Sequence, residues 1–337
     1  MRSLLLASTL ALVLGGCATT GPSGGQTSQG LDPELTNYAY PFETHVFEVE
    51  SQRERLRMVY MDVRPDDWNG HTVLLLHGKN FSGAYWAPTI RELTARGFRV
   101  VAPDQIGFGK SSKPERYQFS FSQLALDTMS LLDSLEIQRA VVVGHSMGGM
   151  LASRIALDHP RRVEKLVLLN PIGLEDYREL AGYRSIDFTY EQELQATPAS
   201  IRAYQQQNYF AGNWKPEYDQ YVEILAGWTE NPDYPRVAWN AALTTDMILT
   251  QPVLYEFPRI TRPTLLIIGT RDRTALGRGW APADVAPTMG VYSALGKRTA
   301  RAIPGARLVE LEGLGHMPQA EDFDAYFAPL VRFIEGS

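Results

Sequence analysis

The chain has 337 residues, a formal net charge of −6 and 44% hydrophobic residues, which suits one large globular domain or two small ones. The acidic balance argues against DNA or RNA as a partner, because a nucleic-acid-binding protein carries a basic surplus. Cys17 is the only cysteine, which excludes a disulfide framework and a cysteine-based zinc site.

Residues 1–16 have the pattern of an export signal. A positive charge at Arg2 precedes the apolar run Leu4–Leu14, which is too short to span a bilayer stably, and two glycines follow it. Residues 18–30 contain small and polar side chains without any charge, so this composition favours a flexible segment. We predict that residues 17–40 form a flexible tether that begins at Cys17.

The segment Leu14-Gly15-Gly16-Cys17 resembles the lipobox of bacterial lipoproteins. The resemblance implies cleavage before Cys17, a lipid on that cysteine and an exported protein anchored to a bacterial membrane. Ala18 in place of an aspartate is similar to the outer-membrane class of double-membraned bacteria. The alternative is an ordinary signal peptide that ends near a cysteine.

The rest of the chain alternates between strand and helix patterns. Segments 45–50 and 55–63 alternate in polarity, as half-exposed antiparallel strands do. Six apolar runs without alternation indicate strands buried on both faces: 72–77, 99–103, 140–144, 165–170, 264–269 and 306–311. Helical patterns lie among them at 88–96, 121–135, 148–158 and 323–334. This order predicts an α/β fold with a mostly parallel eight-stranded sheet and helices on both faces, built from 41–174 and 259–337.

Residues 175–258 interrupt this alternation. They hold no strong strand run, and 15 of these 84 residues are aromatic, against 10% in the whole chain. Their mainly helical, polar and aromatic character predicts a helical cap inserted between two strands. For most individual positions, ordinary helix packing is the better explanation of the aromatic side chain.

The segment Gly144-His145-Ser146-Met147-Gly148 lies between a strand pattern and a helix pattern, the context of a G-x-S-x-G nucleophile elbow. Such a sharp turn at Ser146 requires glycine two places away on either side. It also places the backbone N–H of Met147 at a helix N-terminus, where negative charge is favoured. We predict Ser146 as a nucleophile and the Met147 N–H as an oxyanion donor.

A serine nucleophile needs a base, and the base needs a carboxylate that orients it. Of the six histidines, His316 alone lies in a glycine-rich loop after the last predicted strand, where open sheets bind ligands. Asp272 follows the strand at 264–269, whereas the competing place after the preceding strand holds Asn170. We predict Ser146, Asp272 and His316 as the catalytic residues.

The loop His77-Gly78-Lys79-Asn80 follows a predicted strand directly. The backbone N–H of Lys79 is predicted as the second oxyanion donor, with the side chain of Asn80 as a candidate additional donor. The alternative is a strand-ending turn without a catalytic role. The histidines are scattered and no H-E-x-x-H motif occurs, so neither a metal nor a cofactor is expected.

With these parts in order, residues 41–335 resemble a serine α/β-hydrolase with a cap. The resemblance rests on HGKNFSG, APDQIGFGKSS, GHSMGG, GTRD and GHMPQ, and it implies the α/β-hydrolase fold. Haloalkane dehalogenases and epoxide hydrolases share the APDQIGFGKSS-like segment but use an aspartate in the elbow, so Ser146 sets these activities aside. The link 273–301 is longer than usual and is expected to cover part of the site.

The leading hypothesis is a carboxylesterase or lipase-like enzyme (EC 3.1.1 class) that cleaves a small-molecule ester through an acyl-enzyme. The aromatic cap favours an apolar or aromatic substrate. One alternative is a proline iminopeptidase-like peptidase or amidase whose cap acids hold an amine, with candidates Glu175, Glu179, Glu191, Glu193 and Glu223. Another is a lipid-anchored binding module without turnover.

Overall fold

The computed structural model describes residues 30–336. Eight strands form one sheet in the order β1-β2-β4-β3-β5-β6-β7-β8. They are β1 (Thr44–Ser51), β2 (Glu54–Val63), β3 (Thr72–Leu76), β4 (Arg99–Pro103), β5 (Ala140–His145), β6 (Val163–Leu169), β7 (Thr264–Gly269) and β8 (Arg307–Leu311). The β1–β2 and β2–β4 pairs are antiparallel and the other five pairs are parallel. The predicted fold class is therefore confirmed.

Eleven α-helices occur in the described part of the chain. They are α1 (Ala87–Thr94), α2 (Phe121–Ser134), α3 (Met147–Asp158), α4 (Tyr177–Ala181), α5 (Ile186–Leu194), α6 (Pro198–Asn208), α7 (Glu223–Thr229), α8 (Tyr234–Thr250), α9 (Tyr292–Ala302), α10 (Pro318–Glu321) and α11 (Phe323–Glu335). None of the helices within residues 30–336 is long and apolar enough to cross a bilayer.

The strands divide their side chains between two hydrophobic clusters, one on each face of the sheet. In β3, Leu74 and Leu76 join the cluster with α2, α3 and α9, whereas Val73 and Leu75 join the cluster with α1 and α11. Successive side chains of a strand point to opposite faces, so a strand covered on both sides is apolar throughout. All five residues of β3 are buried for this reason.

Helix α9 lies inside the long link 273–301 and is missing from the sequence prediction. Its buried face includes Leu295 and Gly296. A Cβ atom at Gly296 would lie 3.0 Å from Cγ1 of Ile268 in β7, so glycine allows the helix to pack closely on the sheet. The buried residues Tyr292, Leu295, Gly296 and Thr299 follow helical spacing, so the sequence carried a signal for this helix.

Helices α4–α8 fall within the predicted cap, residues 175–258, and connect β6 to β7. These two strands are parallel neighbours in the sheet, so the connection leaves the carboxyl end of β6 and returns to the amino end of β7. The inserted helices consequently begin at the edge of the sheet that carries the strand-end loops.

An N-terminal strap, residues 30–40, crosses the outside of the cap. Trp228 of α7 donates its indole N–H to the carbonyl of Asp32 at 3.0 Å, and Arg236 of α8 pairs with Glu34 at 2.7 Å. On the core side, Lys110 donates to the carbonyl of Leu35 at 2.7 Å. The predicted tether at 17–40 therefore extends too far, because residues 31–40 are packed on the protein. Residues 17–29 lie outside the described residues.

The strap contributes a buried leucine whose loss has a predictable cost. Leu35 is 0% exposed and packs in a cluster with Trp228 and Val237. We expect Leu35→Ala to lower the free energy of unfolding by about 2–5 kcal/mol, because it removes packed methyl groups and leaves a cavity. Urea unfolding measures this change. Leu126→Ala, at a side chain that is 51% exposed, is the matched control and should change stability by less than about 0.5 kcal/mol. Equal effects would contradict a stabilising strap.

Candidate active site

The segment around Ser146 has the strand–turn–helix structure that an elbow requires. β5 ends at His145 and α3 begins at Met147, and Ser146 between them has φ 56° and ψ −123°. This conformation is strained for a residue with a side chain. A Cβ at Gly144 would collide with the backbone of Gly148, and one at Gly148 would collide with the carbonyl of Leu76. The two glycines thus permit the turn.

Asp272 and His316 meet at the carboxyl ends of the adjacent strands β7 and β8. His316 Nδ1 and Asp272 Oδ2 lie 2.6 Å apart, and both residues are 0% exposed. The carboxylate also accepts the backbone N–H of Thr274 at 2.7 Å. An ionised carboxylate only accepts hydrogen bonds, so Nδ1 carries the proton and Nε2 is left as the basic atom.

Asn170 occupies the competing acid position at the end of β6, and it supports Asp272. Its Nδ2 donates to Asp272 Oδ2 at 2.8 Å, while its Oδ1 accepts the N–H of Gly269 at 3.0 Å. The amide therefore orients the carboxylate across two strands. Sequence reasoning assigned Asn170 no such role, although its polar side chain at a strand end was the available signal.

His145 connects the elbow to the loop of His316. Its Nε2 lies 2.9 Å from the carbonyl oxygen of His316, and its Nδ1 lies 3.0 Å from the hydroxyl of Tyr85. Burial lowers the pKa of His145 well below its usual value, with a smaller effect from His316, so its imidazole is neutral. Nε2 of His316 makes no hydrogen bond to any described residue, Ser146 included.

The loop after β3 lies directly against the elbow. A Cβ at Gly78 would come within 3.0 Å of the Cβ of Ser146. Within residues 30–336, neither the backbone N–H of Lys79 nor that of Met147 donates a hydrogen bond. Met147 is the first residue of its helix, and the N–H of a first helical residue has no partner within the helix. Both groups are therefore available to an oxyanion. The Asn80 amide instead donates to the hydroxyl of Tyr209 at 2.8 Å.

A cavity of about 810 Å³ lies between the strand-end loops and the cap. Ser146, Lys79 and Asn80 line it from the core, and aromatic side chains line it from the cap: Phe188, Tyr204, Tyr209, Trp228 and Tyr234. Residues 274–280 of the long link line it as well, as expected for a segment that covers part of the site. The cavity is large enough for a drug-sized molecule.

Charged groups are few in this cavity. Lys79 pairs with Glu193 of α5 at 3.0 Å, which joins the loop after β3 to the cap. Arg278 is the other charged lining residue, and burial lowers its pKa from the usual value. In the part of the chain that the structure describes, no group of three or more His, Cys, Asp or Glu side chains is placed to hold a metal ion.

Comparison with known proteins places this geometry in a family. Residues 73–328 match the alpha/beta hydrolase family. A solved structure of a probable hydrolytic enzyme from Pseudomonas aeruginosa PAO1 is 48% identical, covers 91% of this chain and 99% of its own, and superposes with a TM-score of 0.90.

Two curated relatives are more distant or match over a shorter span. A haloalkane dehalogenase of Mycobacterium marinum is 28% identical over 264 residues, which cover 72% of this chain and 82% of the relative. A 2-hydroxymuconate semialdehyde hydrolase of Pseudomonas putida is 37% identical over 128 residues, 37% of this chain and only 45% of that protein. On the family match and the 48% identical structure, this chain belongs to the alpha/beta hydrolase family.

Proposed function

We propose that the protein is a serine hydrolase that cleaves carboxylic esters through an acyl-enzyme. The observation that carries the proposal is the 2.6 Å contact between His316 Nδ1 and Asp272 Oδ2, together with a serine held in a strained turn at the end of β5. A buried carboxylate–imidazole pair at the same sheet edge as a serine that lines the cavity is the set of groups that activates a serine nucleophile.

The proposed reaction proceeds in two halves. Ser146 Oγ attacks the ester carbonyl while its proton passes to His316 Nε2, and the carbonyl oxygen gains a negative charge that the N–H groups of Lys79 and Met147 stabilise. His316 then gives the proton to the departing alcohol, which leaves an acyl group on Ser146. Water, deprotonated by His316, attacks that acyl group and releases the acid and the serine.

The serine itself argues against dehalogenation, the activity in the name of one relative. Displacement of a halide by a carboxylate forms an ester, which water can hydrolyse at its carbonyl carbon. The same displacement by Ser146 would form an ether, which offers water no carbonyl and would leave the enzyme alkylated. An acyl substrate avoids this dead end.

We propose an apolar or aromatic small-molecule substrate, supported by the aromatic cap lining of the cavity. The peptidase alternative needs a free acid near the serine. Of its five candidate glutamates, Glu193 alone lines the cavity, and Lys79 already neutralises it. Glu175 accepts the backbone N–H of Gly290 at 2.7 Å and lies outside the lining. These contacts favour an ester over an N-terminal amine.

An acyl-chain series of nitrophenyl esters tests the proposal, with protein that begins at residue 30 so that the strap is kept. We expect saturable hydrolysis, covalent labelling of Ser146 by a fluorophosphonate probe, and little turnover of aminoacyl-naphthylamides. Preferential naphthylamide cleavage would favour the peptidase. Ligand binding without labelling or turnover would favour a binding module.

Lipid anchoring through Cys17 is a separate proposal, and it is supported by the sequence of residues 1–17 alone. These residues lie outside the described residues. Expression of the full chain in a double-membraned bacterium with a labelled fatty acid should give a labelled protein in the outer-membrane fraction. Cys17→Ser should abolish the label. Labelling that persists in this variant would refute the lipid site.

A further inference from the structure

Tyr209 of the cap contacts the base of the site through both its ring and its backbone. The centroid of its ring lies 4.7 Å from that of His316, with 31° between the two planes. Its carbonyl oxygen accepts the backbone N–H of His316 at 2.8 Å. The residue is only 4% exposed. A residue 107 positions earlier in the chain thus covers the imidazole and holds the strand-end loop that carries it.

The loop of His316 is shaped to receive this contact. A Cβ at Gly315 would collide with the carbonyl oxygen of Tyr209, so any other residue would push the loop away from the cap. Gly315 also donates its backbone N–H to Glu321 at 2.6 Å, which holds the loop from the other direction. The close approach of the cap therefore explains why a glycine precedes His316: the atom nearest to a Cβ at that position would be the Tyr209 carbonyl oxygen.

The hydroxyl of Tyr209 reaches the opposite side of the site. It accepts the Nδ2 hydrogen of Asn80 at 2.8 Å, directly after the predicted oxyanion donor Lys79. The ring also lies 5.8 Å from that of Phe81 in the same loop. The side chain of Tyr209 therefore contacts both His316 and the loop after β3 that carries Lys79.

The hydrogen bond to Asp272 restrains only one end of the imidazole. Small combined changes in χ1 and χ2 can tilt the ring and move Nε2, the atom that must receive the serine proton, while Nδ1 stays within hydrogen-bonding distance of Asp272. A flat aromatic neighbour at 4.7 Å restricts this tilting because the two rings would collide. Positioning of this kind acts on the chemical step, where a displacement of about 1 Å can cost about 10²-fold in rate.

We propose that Tyr209 is a positioning residue for His316, so that the seating of the cap sets kcat and not only substrate affinity. This inference rests on the proposed ester hydrolysis. Tyr209 also lines the cavity, but the positioning role acts through the base and needs no contact with substrate.

Tyr209→Leu tests the proposal, with Phe188→Leu as the matched control. Both exchange a cap aromatic of the same cavity for leucine, but Phe188 packs on Trp280 and does not contact the imidazole. We expect Tyr209→Leu to lower kcat about 10- to 100-fold with KM changed by less than about threefold. Phe188→Leu should mainly raise KM. Tyr209→Phe retains the aromatic ring, so its kcat should stay within about threefold of that of the unmodified enzyme.

Rates are expressed per active site, counted by end-point fluorophosphonate labelling, so unfolded protein does not enter the result. Tyr209→Met, which fills the volume without a flat face, replaces the leucine variant if that one does not fold. The proposal would be overturned if kcat were unchanged in the leucine or methionine variant. It would also be overturned if Tyr209→Phe lost as much kcat as that variant does. Absence of ester turnover in the unmodified enzyme would instead refute the proposed function.

Discussion

Ser146→Ala is expected to lower kcat for nitrophenyl ester hydrolysis by about 10⁵- to 10⁶-fold, the largest of the effects predicted here. Without Oγ no acyl-enzyme forms, and His316 has no hydroxyl from which to take a proton. The N–H groups of Lys79 and Met147 remain in place, so a small rate above that of water should persist. Steady-state assays and fluorophosphonate labelling measure the two consequences, and both signals should be lost together.

Ser153→Ala is the matched control for this substitution. Ser153 lies on the same helix as the elbow, is buried, and donates its hydroxyl to the carbonyl of Gly149 at 2.8 Å. Its loss removes one buried hydrogen bond, which costs about 1 kcal/mol of stability and should leave kcat within about twofold. Turnover in Ser146→Ala that stays close to that of the unmodified enzyme would show that another group is the nucleophile.

Asp272→Asn should give the second largest of the predicted effects, a fall of about 10⁴-fold in kcat. The carboxylate accepts hydrogen bonds from His316, from Asn170 and from the backbone of Thr274. An asparagine at 272 has a single acceptor oxygen, and its NH₂ group would face at least one of these donors. The imidazole would then favour the tautomer with a proton on Nε2, which cannot accept the proton of Ser146.

The stability of this variant distinguishes the explanation from simple unfolding. A buried donor without an acceptor costs about 1–3 kcal/mol, so a modest loss in urea unfolding is expected beside the large loss in kcat. Asp246→Asn is the control and should leave kcat within about twofold, because among residues 30–336 this carboxylate accepts only the hydroxyl of Tyr183, at 2.9 Å. An Asp272→Asn enzyme of normal activity would exclude Asp272 as the partner of the base.

Local sequence patterns account for most of the fold. The apolar run 72–77 predicts a strand buried on both faces, and Thr72–Leu76 is one. The glycines at 144 and 148 predict the turn at Ser146, because only their missing Cβ atoms allow it. Helix α9 is missing from the prediction although its buried residues follow helical spacing, and Gly296 on that face allows close packing on β7.

By itself, the sequence determined the order of the strands in the chain, the turn at Ser146 and the positions of Asp272 and His316 at strand ends, since each depends on the conformation of a few consecutive residues. Only the tertiary structure decided that Asn170 supports Asp272 and that Tyr209, among 15 aromatic cap residues, covers His316. It also decided that residues 30–40 are a strap, through contacts such as Glu34 with Arg236. Such contacts join residues about one hundred or more positions apart, and their partners are selected by the packing of helices and strands, which no local pattern specifies.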